Sequence, residues 1–395
     1  MRMHRVTSTE PMPDGAAGSI VDWAAAVRSA RRFTPTGPPI EPRQAADAVD
    51  DLRAFSRRAE LIVRDTTGLG AGLSVADADI VDRPGWIEAT AEGMARLTAP
   101  LTDRLAAQAT ATGRAAAGSQ IGVVLGFLAG RVLGQFDPLL EAKGSEDRSR
   151  GARDERSGED RSDPGAEHSS TDQRAGQPST GPEPTGRLLL VAPNIIKVER
   201  ELRVDPVDFR MWVCLHESTH RLQFTAVPWL RNHFVGQVGE FGAVADVDSR
   251  EIIGRMVRAV RGRRTETGLS WIESMQTPAQ RAVFDRLMAL MSLLEGHADH
   301  VMDAVGPQVV PSVDAIRSVF TDRRRRGRGP IDRLLRSLLG MDMKMSQYIK
   351  GEAFVSQVVS QAGMHGFNTV WSSPETLPSR EEISHPDAWM ARVLR

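Results

Sequence analysis

The residues with the clearest chemical potential lie in WVCLHESTHRLQF, residues 212–224, where His216, Glu217 and His220 stand in the order H-E-x-x-H. On a helix, residues i and i+4 are neighbours about 6 Å apart, so two imidazoles so spaced can face one cation. Zinc accepts such nitrogens at ~2.0–2.1 Å. Glu217 falls one residue round from His216, beside that point and not on it. A carboxylate there stands where a base must stand to take a proton from water activated by the ion. The alternative for the same letters is a pair of core histidines satisfied by hydrogen bonds, with Glu217 exposed.

A catalytic zinc site needs three protein ligands and an open position. The third candidate lies in LMALMSLLEGHADHVMDAVG, 287–306. Phe284, Leu287, Met288, Met291, Leu294, Ala298 and Met302 recur at helical spacing, and Glu295 interrupts the middle of their stripe. A carboxylate on a buried stripe is costly unless it is neutralised, paired or bound to metal. Glu295 is therefore the expected third ligand. His297 and His300 compete with it, but they lie about 200° and about 140° round the helix from Glu295 and point off the stripe, as surface or supporting histidines. Asp299, one turn beyond Glu295, can accept the second N–H of a ligand histidine and orient its ring.

Two helices must carry these side chains. For the first, Asp205 can cap, Pro206 suits the first turn, Asp208 adds early negative charge and Pro228 provides a stop. Phe209, Trp212, Val213, His216, His220 and Gln223 fall on one stripe of it. For the second, Thr277-Pro278-Ala279-Gln280 forms a capping box and Gly306-Pro307 an end. Just before the motif helix, RLLLVAPNII (187–196) is the clearest strand candidate, placed to offer an edge to an extended peptide.

Upstream, Ile20–Phe33, Pro42–Thr66, Pro84–Ala107 and Gly118–Phe136 carry apolar residues at helical spacing. Gly122, Gly126, Gly130 and Gly134 recur every four residues, a bare stripe that lets another backbone approach. Residues 142–187 have almost no apolar side chains and are expected to be a disordered insertion, so His168 within them has no ligand neighbours. The expected organisation is a helical region over 1–141, the insertion over 142–187 and a metal-binding region over 188–395. The fold class is mainly α, with a small β element before the motif helix.

Composition narrows the classes further. Ala, Leu, Val and Arg are abundant in a 395-residue chain that is 41% hydrophobic but only 5% aromatic, which favours helices. The net charge of -1 argues against electrostatic nucleic-acid binding. The basic run DRRRRGRGP (322–330) has no interleaved aromatics and is expected to be a solvated loop, as is VRGRRTETG around Arg261, Arg263 and Arg264. The single cysteine, Cys214, excludes an internal disulfide and a cysteine-rich metal site, and its position assigns it to the core. The opening MRMHRVTSTEPMPDGAAGS has no apolar run of signal-peptide length, and IGVVLGFLAGRVLG is too short to span a bilayer and is broken by Arg131. A cytoplasmic protein without membrane or nucleic-acid partners is expected. Tyr348, the only tyrosine, is a candidate hydrogen-bond donor to a developing oxyanion, against the alternative of a buried structural tyrosine; Lys344 and His365 rank below it.

HESTH followed by a helical E-G-H-A-D resembles the gluzincin branch of the zincin metallopeptidases. The resemblance implies a zincin-like helical domain in which His216, His220 and Glu295 hold Zn²⁺, Glu217 is the base and Asp299 supports a ligand histidine. LLLVAPNIIKVEREL, DFRMWVCLHESTHRLQFTAVPWLR, LLEGHADHVMD, MDMKMSQYIKGEAFV and GFNTVWSSPETLP, together with DWAAAVRSARRF and DRPGWIEA, resemble an actinobacterial zincin-like family without an assigned substrate. Its members are often labelled as associated with deazaflavin-coenzyme biosynthesis. The implied activity is peptide or amide hydrolysis by metal-activated water. The alternatives are a catalytically silent zincin scaffold or an accessory binding protein. The chain departs from compact zincins in the gap of about 75 residues between His220 and Glu295.

Overall fold

The computed structural model describes residues 19–105, 109–140, 186–244, 278–326 and 341–394. Of the expected insertion, 142–185 lie outside the described residues, as do Arg261, Arg263 and Arg264, while Gly186 and Arg187 are described. Of DRRRRGRGP, residues 322–326 continue a helix and the remainder lies outside the described residues.

Helix α1 (Trp23–Phe33) is capped by Asp22, whose side chain accepts from the Ala25 N–H. Helix α2 (Pro42–Thr67) starts on a proline and ends at Gly68, which takes a left-handed φ of 70°. Strand β1 (Asp79–Val81), helix α3 (Arg83–Leu105) and helix α4 (Ala111–Leu128) follow. The helix expected over 118–136 thus stops at Leu128, and Gly134–Asp137 form strand β2. Tertiary pairing decides this, because β2 runs antiparallel to β3 (Arg187–Val191), with Gly134 opposite Leu190 and Phe136 opposite Leu188.

The glycine stripe is accordingly divided. A β-carbon on Gly118 would strike the carbonyl oxygen of Asp22, one on Gly122 that of Ala26, and one on Gly126 that of Ala30. Glycine at these positions lets α4 lie on the backbone of α1 in a shared four-residue register. Gly130 faces Pro35, and Gly134 belongs to the sheet.

Strand β3 is shorter than the 187–196 segment expected for it, because Pro193 starts helix α5 (Ala192–Leu202). The sheet order is β1-β3-β2, with β3 parallel to β1. Both edges of β3 are therefore taken, which corrects the expectation that it offers one to a substrate. The edge strand against the motif helix is β2.

Helix α6 (Pro206–Thr225) carries the motif and packs against α2, β2 and α8 (Pro278–Val305). It is buried on nearly every side, so the single stripe read from the sequence understates its burial. Leu52, Ala59 and Val63 of α2 share a core with Phe209, Trp212, Cys214 and Leu215 of α6. Glu60 and Arg64 of α2 form an ion-paired cluster with Arg221 of α6, and Arg221 also donates to the Ala76 carbonyl at 2.7 Å. Helices α7 (Leu230–Val244), α9 (Val313–Arg326), α10 (Met341–Phe367), α11 (Arg380–Ser384) and α12 (Pro386–Val393) complete the α-helices among the described residues. Leu290, Leu293 and Leu294 of α8 pack with Phe354, Val355 and Val358 of α10 and with Trp371 and Trp389 beyond it. The two helices touch backbone to backbone where Gly296 meets Gly351, which pins α8 one residue after Glu295. Among the described residues no helix is long and apolar enough to cross a membrane.

Candidate metal centre

Helix α6 begins where the Asp205 carboxylate accepts from the Val207 and Asp208 N–H groups at 2.9 and 3.0 Å. That cap fixes the helix start, and about three and four turns on His216 and His220 emerge on one side. Their Nε2 atoms are 3.1 Å apart. Glu295 reaches in from α8, with its Oε2 3.7 Å from His216 Nε2 and 3.8 Å from His220 Nε2. Donors held tetrahedrally at ~2.0–2.1 Å from one ion are about 3.3 Å from each other, so these spacings bracket a metal's requirement. Two imidazoles and a carboxylate are also a donor set that suits zinc. The three side chains are 23%, 16% and 22% exposed, enough for a small reactant to reach them.

Glu217 is 8% exposed, which removes the alternative in which it faces solvent. Burial pushes its carboxyl up to about 7; the Glu295 charge adds to this and His220 opposes it. His220 is raised overall: burial disfavours its charged form, but Glu295 and Glu217 outweigh that.

A family model for zincin-like metallopeptidases matches residues 21–390. The chain belongs to the zincin-like metallopeptidase family. No curated protein matches it. It is similar to a solved structure described as a "putative hydrolase with a novel fold" from Chloroflexus aurantiacus, at 30% identity, with a TM-score of 0.64 over 95% of this chain and 99% of that one. Zincin-like metallopeptidase membership supports a zinc metallohydrolase in general, and the His216–His220–Glu295 cluster is the group among the described residues that could hold the ion.

In this zincin-like metallopeptidase, the neighbours of the cluster differ from those expected. His297 is fully buried, not on the surface, and stacks on Phe367 with ring centroids 5.1 Å apart. Helix α8 is sandwiched between α6 and α10, so the face opposite its apolar stripe is covered too. His297 stands outside the ligand cluster, and burial drives its pKa down to about 3. His300 bonds Ser356 Oγ at 3.0 Å, and burial also lowers it. The Asp299 charge favours protonated His220, while the hydrogen-bond partner at His220 Nδ1 is Gln223, at 3.0 Å. The His216 Nδ1 faces Met302 Sδ at 3.3 Å. Tyr348 lies in α10, but its side chain, like that of Lys344, is outside the described residues. His365 is exposed and outside the cluster. His233, expected in a loop, is in α7, edge-on to Trp229.

Sequence reasoning missed two residues of this site. Gln223 was visible only as one more member of the motif stripe. Gly134 was visible only as the last of a row of glycines, yet its missing side chain leaves the space that Glu217 fills.

Proposed function

We propose that this zincin-like metallopeptidase hydrolyses a peptide or other amide bond, with His216, His220 and Glu295 as zinc ligands and Glu217 as the general base. A zinc ion bound by those three side chains would supply Lewis acidity, polarising a carbonyl and acidifying water. Glu217 accepts the proton of the attacking water and later delivers it to the departing amine, so one carboxylate serves as base and then as acid. A base near neutrality suits both roles, since it must be able to take a proton and to release it. The observation that carries this reading is the buried Glu217 carboxylate beside the convergent cluster, held close to neutrality by its surroundings. A site serving only to hold a metal has no use for such a group.

Strand β2 supports a peptide-like substrate. It is one of the two edge strands of the sheet and meets α6 at Glu217, so an extended chain pairing with it would lie near that carboxylate. Asp299 is assigned to supporting a ligand histidine, and Tyr348 to oxyanion stabilisation. The experiment is elemental analysis of the purified protein joined to a peptide-library digest, with Glu217→Gln as control. One equivalent of zinc and cleavage abolished in the control are expected. Cleavage retained by Glu217→Gln would overturn the assigned base.

A further inference from the structure

We infer that Gln223 is a positioning residue that dictates which nitrogen of His220 is presented to the metal, through a chain of hydrogen bonds that starts at the backbone carbonyl of Leu294. This rests on the metal-centre reading above but is separately testable. The two ends of a glutamine amide are ordinarily hard to tell apart. Here a backbone carbonyl, which can only accept, tells them apart. Gln223 Nε2 lies 2.9 Å from the Leu294 oxygen and must be the N–H₂ end.

Both imidazole tautomers follow. Gln223 Oε1, 3.0 Å from His220 Nδ1, is then an acceptor, so Nδ1 carries the proton and Nε2 keeps its lone pair. That Nε2 is the atom facing His216 and Glu295. On the other side, the same Gln223 Nε2 is 3.0 Å from His297 Nδ1, which must accept, leaving the His297 proton on Nε2. His297 Nε2 is buried and has no hydrogen-bond partner among the described residues. An orphan polar atom in a packed interior costs about 1–3 kcal/mol. Its counterpart is an acceptor at Nδ1 that holds Gln223 in one orientation. Leu294 precedes Glu295, so the same amide ties the histidine-bearing helix to the carboxylate-bearing one.

The test reads tautomers and metal affinity, not turnover. Nitrogen-15 spectra of the metal-free full chain, about two pH units above an ordinary imidazole pKa, report the protonated ring nitrogen of each histidine. His220 protonated at Nδ1 and His297 at Nε2 are expected; His220 protonated at Nε2 in the wild type overturns the inference. Zinc affinity is then measured by competition with a chromophoric chelator in Gln223→Leu and Gln223→Glu, each checked for folding by circular dichroism. The leucine variant is expected to lose about 10–100-fold in affinity and to populate the other His220 tautomer. The glutamate variant, whose carboxylate still accepts from Nδ1 but cannot donate to the Leu294 oxygen, is expected to keep the wild-type His220 tautomer. A folded leucine variant with unchanged tautomer and affinity overturns the inference, as does a glutamate variant that populates the other His220 tautomer. A wild type with the expected tautomers but no zinc binding defeats the metal-centre reading alone.

Discussion

A β-carbon on Gly134 would lie 2.6 Å from Cγ of Glu217 and 2.8 Å from its Oε1. Edge strand β2 and the motif helix therefore meet at a position where a side chain on the strand would displace the carboxylate. Gly134→Ala is expected to push Glu217 aside while leaving the ligand cluster in place. A displacement of about 1 Å at a reacting group can reduce turnover about 100-fold, and that loss in kcat with unchanged zinc content is the expected result. An alanine variant with wild-type kcat would show that Glu217 does not need its present position.

Glu217→Gln keeps the shape of the side chain and removes its ability to take a proton. Turnover should fall about 100- to 10,000-fold, with zinc stoichiometry unchanged by elemental analysis.

Glu295→Ala removes the ligand proposed to come from α8. Zinc affinity should fall by more than the roughly 10–100-fold expected from losing a supporting residue. Zinc should also stop protecting the fold: at about 100 times its Kd, it should add about 2.7 kcal/mol to the wild type and much less to the variant. Melting with and without zinc measures this, and equal protection in both proteins would remove Glu295 from the ligand set.

Glu60→Gln leaves the Arg221 guanidinium, 2% exposed, without the carboxylate it pairs with. Breaking one partner of a buried ion pair typically costs about 3–5 kcal/mol. Urea unfolding should report a loss of that order, and a loss below about 1 kcal/mol would mean the pair behaves like a surface bridge.

His297 is held neutral by burial, its pKa lowered to about 3. The unfolded chain takes up a proton below its ordinary pKa of about 6.5, and the folded chain does not. The associated stability is complete above about pH 6.5 and is lost as pH falls toward 3, at about 1.4 kcal/mol per unit. His297→Phe lacks this dependence, so the wild type should lose roughly 2–3 kcal/mol relative to the variant between about pH 6.5 and 4.5. Parallel stability curves would show that His297 is not protected from protonation.

Helices built on local signals were legible in the sequence. Asp205, Pro206 and Asp208 announce α6, and Pro278 announces the start of α8, because caps and first-turn prolines act on neighbouring backbone groups. The elements misread were those that long-range pairing decides. Residues 129–136 continue a helical glycine period, yet Gly134–Asp137 become a strand because Leu188–Leu190 offer a buried partner far along the chain. His297 was misplaced for the same reason: counting degrees round one helix cannot reveal that a second helix covers its far side.

The sequence by itself determined the donor set: two imidazoles one turn apart, a carboxylate beside them and a distant carboxylate on an apolar stripe. Spacing within one helix is a local property, so no other part of the chain was needed to read it. Only the tertiary structure brought Glu295 to 3.7 Å from His216, buried Glu217 under Gly134, and let Gln223 join the His220 ring to Leu294. Those relations depend on how α6, α8 and β2 pack. Packing is set by interactions between residues tens of positions apart in the chain, which no local pattern encodes.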